Sequence, residues 1–201
     1  MVADWAQTLA AVAQSGLAYG EVSEYDRERY ETVRRVAAEM LADGDAASEL
    51  ERVFAGEIGH ATPKIDVRGV VFRDDGILLV NERVDDAWTL PGGWAEVGES
   101  PSESVVREVR EESGFETRAV KVVALLDRAR HHPPNIWHTW KIFFRCELVG
   151  GEPGPLGAET TAAGFFPLGE LPPLSVNRIT REQIARCFAH REHPEWPADF
   201  D

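Results

Sequence analysis

The stretch from Ser100 to Gly114 constrains this chain more than any other, because it specifies both ends of one helix. Ser100 is a good cap residue, Pro101 fits the first helical position, and Glu103 stands three residues after Ser100 to close a capping box. Gly114 suits the left-handed residue that ends a helix. The spacing predicts a helix over about Pro101–Ser113. On it Glu108, Glu111 and Glu112 stand at i, i+3 and i+4, so they share a face. Val105, Val106 and Val109 occupy a neighbouring face suited to burial against a sheet. A stripe of carboxylates repels itself. Arg107 and Arg110 offset part of that, and a hard divalent cation such as Mg²⁺ would offset more, since it prefers carboxylate oxygens and water.

A Glu-Glu pair on a helix is ordinarily a solvated acidic face. The fuller pattern is more demanding: Gly93, Glu99, Arg107, Glu108, Glu111, Glu112 and Gly114 at fixed spacing, with Val109 and Phe115 at apolar places. At ordinary residue usage such a match does not arise by chance in a chain of this length. This pattern is the Nudix box, and the chain resembles the Nudix hydrolase family over about residues 61–191. The resemblance implies an α/β fold, a Nudix-type α/β/α sandwich with a mixed sheet and the box as loop-helix-loop.

The totals set bounds. A length of 201 residues suits one domain plus an appendage. The net charge of −14 argues against bulk nucleic acid or anionic lipid as partner, but not against a phosphorylated small molecule served by a bound cation. Cys146 and Cys187 show no framework spacing, and no apolar window is long enough to span a membrane. The N-terminus lacks a signal-peptide pattern, so a reducing cytoplasm is the expected compartment.

Residues 1–60 read as three short amphipathic helices: one carrying Trp5, Leu9 and Val12 and ending at Gly16, one over about Asp26–Ala42, and one carrying Leu50, Val53 and Phe54. They bury little alone and are expected to pack on other surface. Residues 61–201 form the second expected domain. In it Lys64–Phe72, Ile77–Asn81, Thr117–Leu126 and Trp137–Leu148 read as strands, Asp74-Asp75-Gly76 as a hairpin turn, and Thr180–Gln183 as the capping box of a last helix. Gly150–Pro155 reads as a loop, Gly164–Pro167 as a strand end, and the polar tail from His193 as frayed. The N-terminal region, together with Trp88–Trp94, His132-Pro133-Pro134 and Phe165–Ser175, is similar to a bacterial Nudix subgroup that includes CDP-choline and ADP-ribose pyrophosphatases. In that subgroup the first helices contribute to a dimer, which implies a homodimer here.

The resemblance implies hydrolysis of a nucleoside diphosphate linked to a second moiety, X, with CDP-choline or ADP-ribose as substrate and Mg²⁺ (or Mn²⁺) as cofactor. Glu108, Glu111 and Glu112 match the metal-ligand positions, and the carbonyl of Gly93 or Gly92 could complete the shell. Glu99 and Arg107 match positions that tie loop to helix, with Gly114 closing the helix. The general base is Glu108 or a glutamate outside the box, for which Glu159 is the nearest candidate. Relatives often carry a second acid three residues on, where this chain has Ala162. Asp127–Lys141 is the one locally basic stretch, holding Arg128, Arg130, Lys141, His131, His132 and His138; it reads as a specificity loop or as a solvated loop. No partner set makes its histidines zinc ligands. Arg83 is a phosphate-contact candidate, and Trp94 or Trp88 could stack on a base or pack in the core. Competing readings are a non-catalytic Nudix sensor and a hydrolase of damaged nucleoside triphosphates or RNA ends.

Overall fold

The computed structural model describes residues 2–19, 21–154 and 159–201. The chain divides into two compact units, residues 1–64 with 134–138, and residues 65–133 with 139–201.

The first unit is helical: α1 (Val2–Ala18), α2 (Glu24–Glu39) and α3 (Gly44–Gly56). Ser23 starts α2 by accepting the Asp26 N–H on its hydroxyl. Ala37, Ala38 and Phe54 form the buried centre, with Leu9, Leu41, Leu50 and Trp137 packed around it. Gly16 does not end α1. It lies against Tyr30, where a Cβ would come within 2.4 Å of the ring, so packing rather than chain reversal uses this glycine. Trp137 meets Phe54 edge-on at 5.7 Å, and the Lys64 N–H donates to the His138 carbonyl at 2.9 Å. The strand expected to begin at Trp137 therefore begins at Thr139; residues 134–138 complete the helical core instead.

The second unit is built on a seven-stranded sheet: β1 (Lys64–Arg73), β2 (Gly76–Glu82), β3 (Ala87–Thr89), β4 (Phe115–Asp127), β5 (Thr139–Gly151), β6 (Thr160–Pro167) and β7 (Asp199–Phe200). The order is β3-β2-β1-β5-β4-β7, with β6 paired to β2. β4 and β7 run parallel, whereas β1–β2, β2–β3, β2–β6 and β4–β5 are antiparallel, which makes the sheet mixed. Its α-helices among the described residues are α4 (Pro101–Ser113), the single turn α5 (Arg128–His131) and α6 (Arg181–Glu192).

Strand periodicity sorts the core onto two faces. Val67, Val71 and Leu78 pack with Val105 and Val109 of α4, while Val70, Ile77 and Leu79 pack with Ile184 and Cys187 of α6. Gly69 lies beneath α4, where a Cβ would come within 2.4 Å of a Val109 methyl. Both capping boxes form, at Ser100 with Glu103 and at Thr180 with Gln183.

The tail departs from its expected fraying. β7 pairs Asp199 with Ala124 and Phe200 with Leu125, Arg186 and His190 hold the Asp199 carboxylate, and Trp196 stacks on His193 at 4.4 Å. Polar composition was a poor guide here, because those polar groups are spent on specific partners.

Candidate active site

Three backbone contacts place the glycine loop before α4. The Val67 N–H donates to the Gly93 carbonyl at 2.8 Å, Gly69 N–H to Pro91 at 2.8 Å, and Ala95 N–H to Ile65 at 3.0 Å. Gly92 takes φ +142°, and a Cβ there would lie 2.0 Å from the Val67 carbonyl oxygen, so only glycine fits. Its N–H points into the site and donates to Glu112 Oε2 at 2.8 Å. Gly93 faces Glu108, whose Oε1 would lie 3.2 Å from an added Cβ. At the far end of α4, Gly114 has φ +79° and donates its N–H to Arg110 at 2.8 Å.

Arg107 organises the exposed side of the box. Its Nε donates to both Glu99 oxygens at 2.9 and 3.1 Å, tying the loop to the helix, and Ser104 Oγ adds a third bond to Glu99 at 2.8 Å. Arg107 Nη1 donates to Glu108 at 2.9 Å and to Glu111 at 3.1 Å. Glu111 is exposed, Glu108 half-buried and Glu112 buried. Burial pushes the Glu112 carboxyl up to about 8, and the charges of Glu108 and Glu82 push the same way. Burial also raises Glu108.

Beneath these carboxylates lies a buried charge cluster. Arg68 on β1 grips Asp66 with Nε at 2.7 Å and Nη2 at 2.8 Å, and its Nη1 donates to the Leu90 carbonyl at 3.1 Å. Lys141 on β5, 1% exposed, lies 3.5 Å from Asp66 Oδ2, the oxygen that Arg68 Nη2 also meets. Burial opposes the Arg68 charge, but Asp66 outweighs it and holds the guanidinium protonated; Glu112 and Glu82 add to that. Burial, helped by Arg68, lowers the Lys141 ammonium to about 7. Glu82 at the end of β2 is buried and raised by burial, and Arg178 Nε pairs with it at 3.2 Å.

Sequence reasoning missed Asp66, Arg68, Glu82 and Arg178. The available signal was opposite charges at i and i+2 inside an apolar strand, which puts both on one face that cannot all be solvent.

The other candidates are more dispersed. Glu159 is exposed, its carbonyl accepts the Arg83 N–H at 2.8 Å, and its charge raises Glu82. The preceding residues 155–158, including Pro155 of the expected loop, lie outside the described residues. Arg83 is exposed with Nη2 at 3.5 Å from the Thr160 carbonyl. Trp94 is about half exposed beside the box. Arg128 and His132 are buried: Arg128 donates to the carbonyls of Pro133 at 2.6 Å and Asn177 at 3.3 Å, and His132 Nδ1 donates to Val176 at 2.9 Å. Arg130 is exposed on α5, and His138 belongs to the helical unit.

The donor set fits a divalent cation. Glu108 and Glu112 are hard oxygen donors against the glycine loop; burial raises the proton affinity of both, and a like charge adds to it in each case, Glu111 for Glu108 and Glu108 for Glu112. Among the described residues no three acidic, histidine or cysteine side chains are already grouped around a cation position, and Arg107 holds Glu108 and Glu111. No described helix is long and apolar enough to cross a membrane.

Comparison with known proteins agrees with this geometry. The NUDIX domain model matches residues 62–187, and a model described as the UDP-X-like, N-terminal oligomerisation domain matches residues 1–54. A candidate ADP-ribose pyrophosphatase of Bacillus subtilis (strain 168) is 46% identical over 200 residues, covering 98% of this chain and 95% of the relative. The crystal structure of an ADP-ribose pyrophosphatase from Streptococcus suis 89-1591 is 44% identical with TM-score 0.65, covering 70% of this chain and 100% of that one. The crystal structure of a UDP-X diphosphatase is 33% identical with TM-score 0.66, covering 98% and 97%.

Proposed function

Since the chain belongs to the Nudix hydrolase family, a family of pyrophosphohydrolases that use divalent metal ions, we propose that it is a Mg²⁺-dependent hydrolase of a nucleoside diphosphate linked to X. Water adds across the P–O–P bridge. One phosphorus gains the water oxygen, the bridging bond breaks, and the products are a nucleoside monophosphate and phospho-X.

The observation that carries this reading is the complete box with its buried Glu112 held by the Gly92 N–H at 2.8 Å. Mg²⁺ held by Glu108, Glu111 and Glu112, with the Gly93 carbonyl nearby, would supply the charge neutralisation and Lewis acidity that the diphosphate needs. The Gly92 N–H fixes the orientation of the Glu112 carboxylate before substrate arrives. Glu99 and Arg107 hold α4 against the glycine loop. Glu108 or Glu159 takes the proton from the attacking water. Arg83 and Arg130 meet phosphate oxygens and Trp94 offers a face to the base; Arg128 and His132 support the α5 turn from beneath.

ADP-ribose is the first substrate to test, because the Bacillus relative and the Streptococcus structure carry that name. UDP-linked compounds come second, on the name of the third relative. CDP-choline stays in the panel on the sequence resemblance. Exposed Val2, Trp5 and Val12 on α1, with the match to an oligomerisation domain, support a homodimer.

The experiment is product analysis by mass spectrometry after incubation with Mg²⁺ and ADP-ribose, UDP-sugars, CDP-choline, NADH, diadenosine polyphosphates or nucleoside triphosphates. AMP and ribose 5-phosphate from ADP-ribose is the expected result. Failure to release a monophosphate from any diphosphate-X compound would overturn the proposal.

A further inference from the structure

α5 has four residues, too few for a helix to stand on its own hydrogen bonds. Its stability must come from what surrounds it. On the inner side Arg128 and His132 bind the carbonyls of Pro133, Asn177 and Val176. Val176 and Asn177 lie in the turn that ends at Arg178, whose guanidinium pairs with Glu82, so α5 rests on the segment that borders the carboxylate cluster.

On the outer side a single carboxylate, that of Asp201, holds both ends of the turn. Its Oδ2 accepts the Asp127 N–H at 2.6 Å, and its Oδ1 lies 2.9 Å from His131 Nε2. Asp127 in turn caps α5 by accepting the Ala129 N–H at 2.9 Å. Asp201 reaches this position because the tail before it is anchored. Lys121 Nζ donates to the carbonyls of Pro194 at 2.7 Å and Trp196 at 2.6 Å, and Asp199 is bound by Arg186 and by His190 at 3.0 Å.

We propose that Asp201 is a positioning residue: it clasps α5 and so fixes Arg130, the exposed guanidinium of that turn, for contact with a phosphate of the substrate. The clasp stands on the contacts above; its effect on substrate rests on the diphosphate-X reading. Arg128 and His132 are already bound to main-chain carbonyls, which leaves Arg130 as the cation of α5 that faces solvent.

The test combines amide hydrogen exchange with steady-state kinetics on ADP-ribose and Mg²⁺, using the full chain. Asp201→Ala should speed exchange over residues 127–132 by about ten-fold while α4 and α6 keep wild-type protection. KM should rise about five-fold and kcat stay within about two-fold, the size expected for losing a pair of partly exposed hydrogen bonds. Asp201→Asn keeps an acceptor for the Asp127 N–H and should fall between. Arg130→Ala should raise KM without speeding exchange, and adding Asp201→Ala to it should raise KM no further, because both act through one contact. Unchanged exchange in Asp201→Ala, or KM effects that simply add, would overturn the proposal. A wild-type protein inactive on every diphosphate-X compound would instead count against the proposed function, and the exchange data would still decide the clasp.

Discussion

Replacing Arg68 by Met removes the buried cation that joins the sheet to the carboxylate cluster while keeping most of the side-chain volume. In the native fold Asp66 receives two charge-assisted bonds from Arg68, at 2.7 and 2.8 Å, and has Lys141 only at 3.5 Å. The Leu90 carbonyl loses its 3.1 Å donor in the same step. Removing one member of a buried pair costs about 3–5 kcal/mol. Part of that returns, because Arg68 is among the groups that hold the Lys141 ammonium down; without it Lys141 charges more readily and serves Asp66 better. A net loss of about 3 kcal/mol follows, or about 6–12 °C in Tm for a unit of this size. Urea unfolding followed by circular dichroism, in EDTA at pH 7, measures it. Changing Asp66 to Asn as well removes the carboxylate that Arg68 grips directly, so the double variant should recover about 1–2 kcal/mol relative to Arg68→Met alone. A loss below about 1 kcal/mol in the single variant, or no recovery in the double, would refute the view that Arg68 and Asp66 depend on each other within the cluster.

Glu112→Gln should cut turnover by about a thousand-fold or more with unchanged circular dichroism, since it removes a ligand and leaves the core filled. In EDTA the same variant should be more stable than wild type at pH 8.5 and lose that advantage by pH 5. A carboxyl pushed up to about 8 by burial favours the fold when protonated, and that contribution disappears as pH rises through the folded value. His132 behaves oppositely: burial lowers it to about 4, so its contribution is present above the unfolded pKa of about 6.5 and is lost as pH falls toward 4. His132→Gln should flatten stability between those pH values by up to about 3 kcal/mol, read from urea midpoints at each pH. Light scattering after gel filtration should give twice the 22.3 kDa chain mass, and Trp5→Ser should shift the equilibrium toward the single chain; a wild type that elutes as a single chain at all concentrations refutes the dimer.

The box was readable because its information is local. Caps, the left-handed glycine and the acidic face lie within one short segment, and each has a single-sequence signature that survives without knowledge of the rest. The short apolar runs of β1 and β2, with the Asp74-Asp75-Gly76 turn between them, are readable for the same reason. What stayed hidden depends on pairing across the chain. Asp66 and Arg68 can be paired from their spacing, but Lys141 joins them only through β5, and Glu82 gives no sign of its partner Arg178 nearly a hundred residues on. Arg128 and His132 stand out in the sequence because the stretch is basic; that each also binds a main-chain carbonyl shows only in the fold. The tail misled for the complementary reason, since polar residues signal disorder only when they lack partners.

The helical unit is not one continuous piece of chain, because residues 134–138 belong to it together with residues 1–64. That has a genetic consequence. A unit split this way cannot be gained or lost as a terminal cassette without leaving a mark in the middle of the gene. Deleting the first sixty codons would leave Trp137 without Phe54, an aromatic surface stranded between β4 and β5. Ancestors or relatives lacking the helices should therefore differ in length or polarity at this insert, and the two segments should have been inherited together.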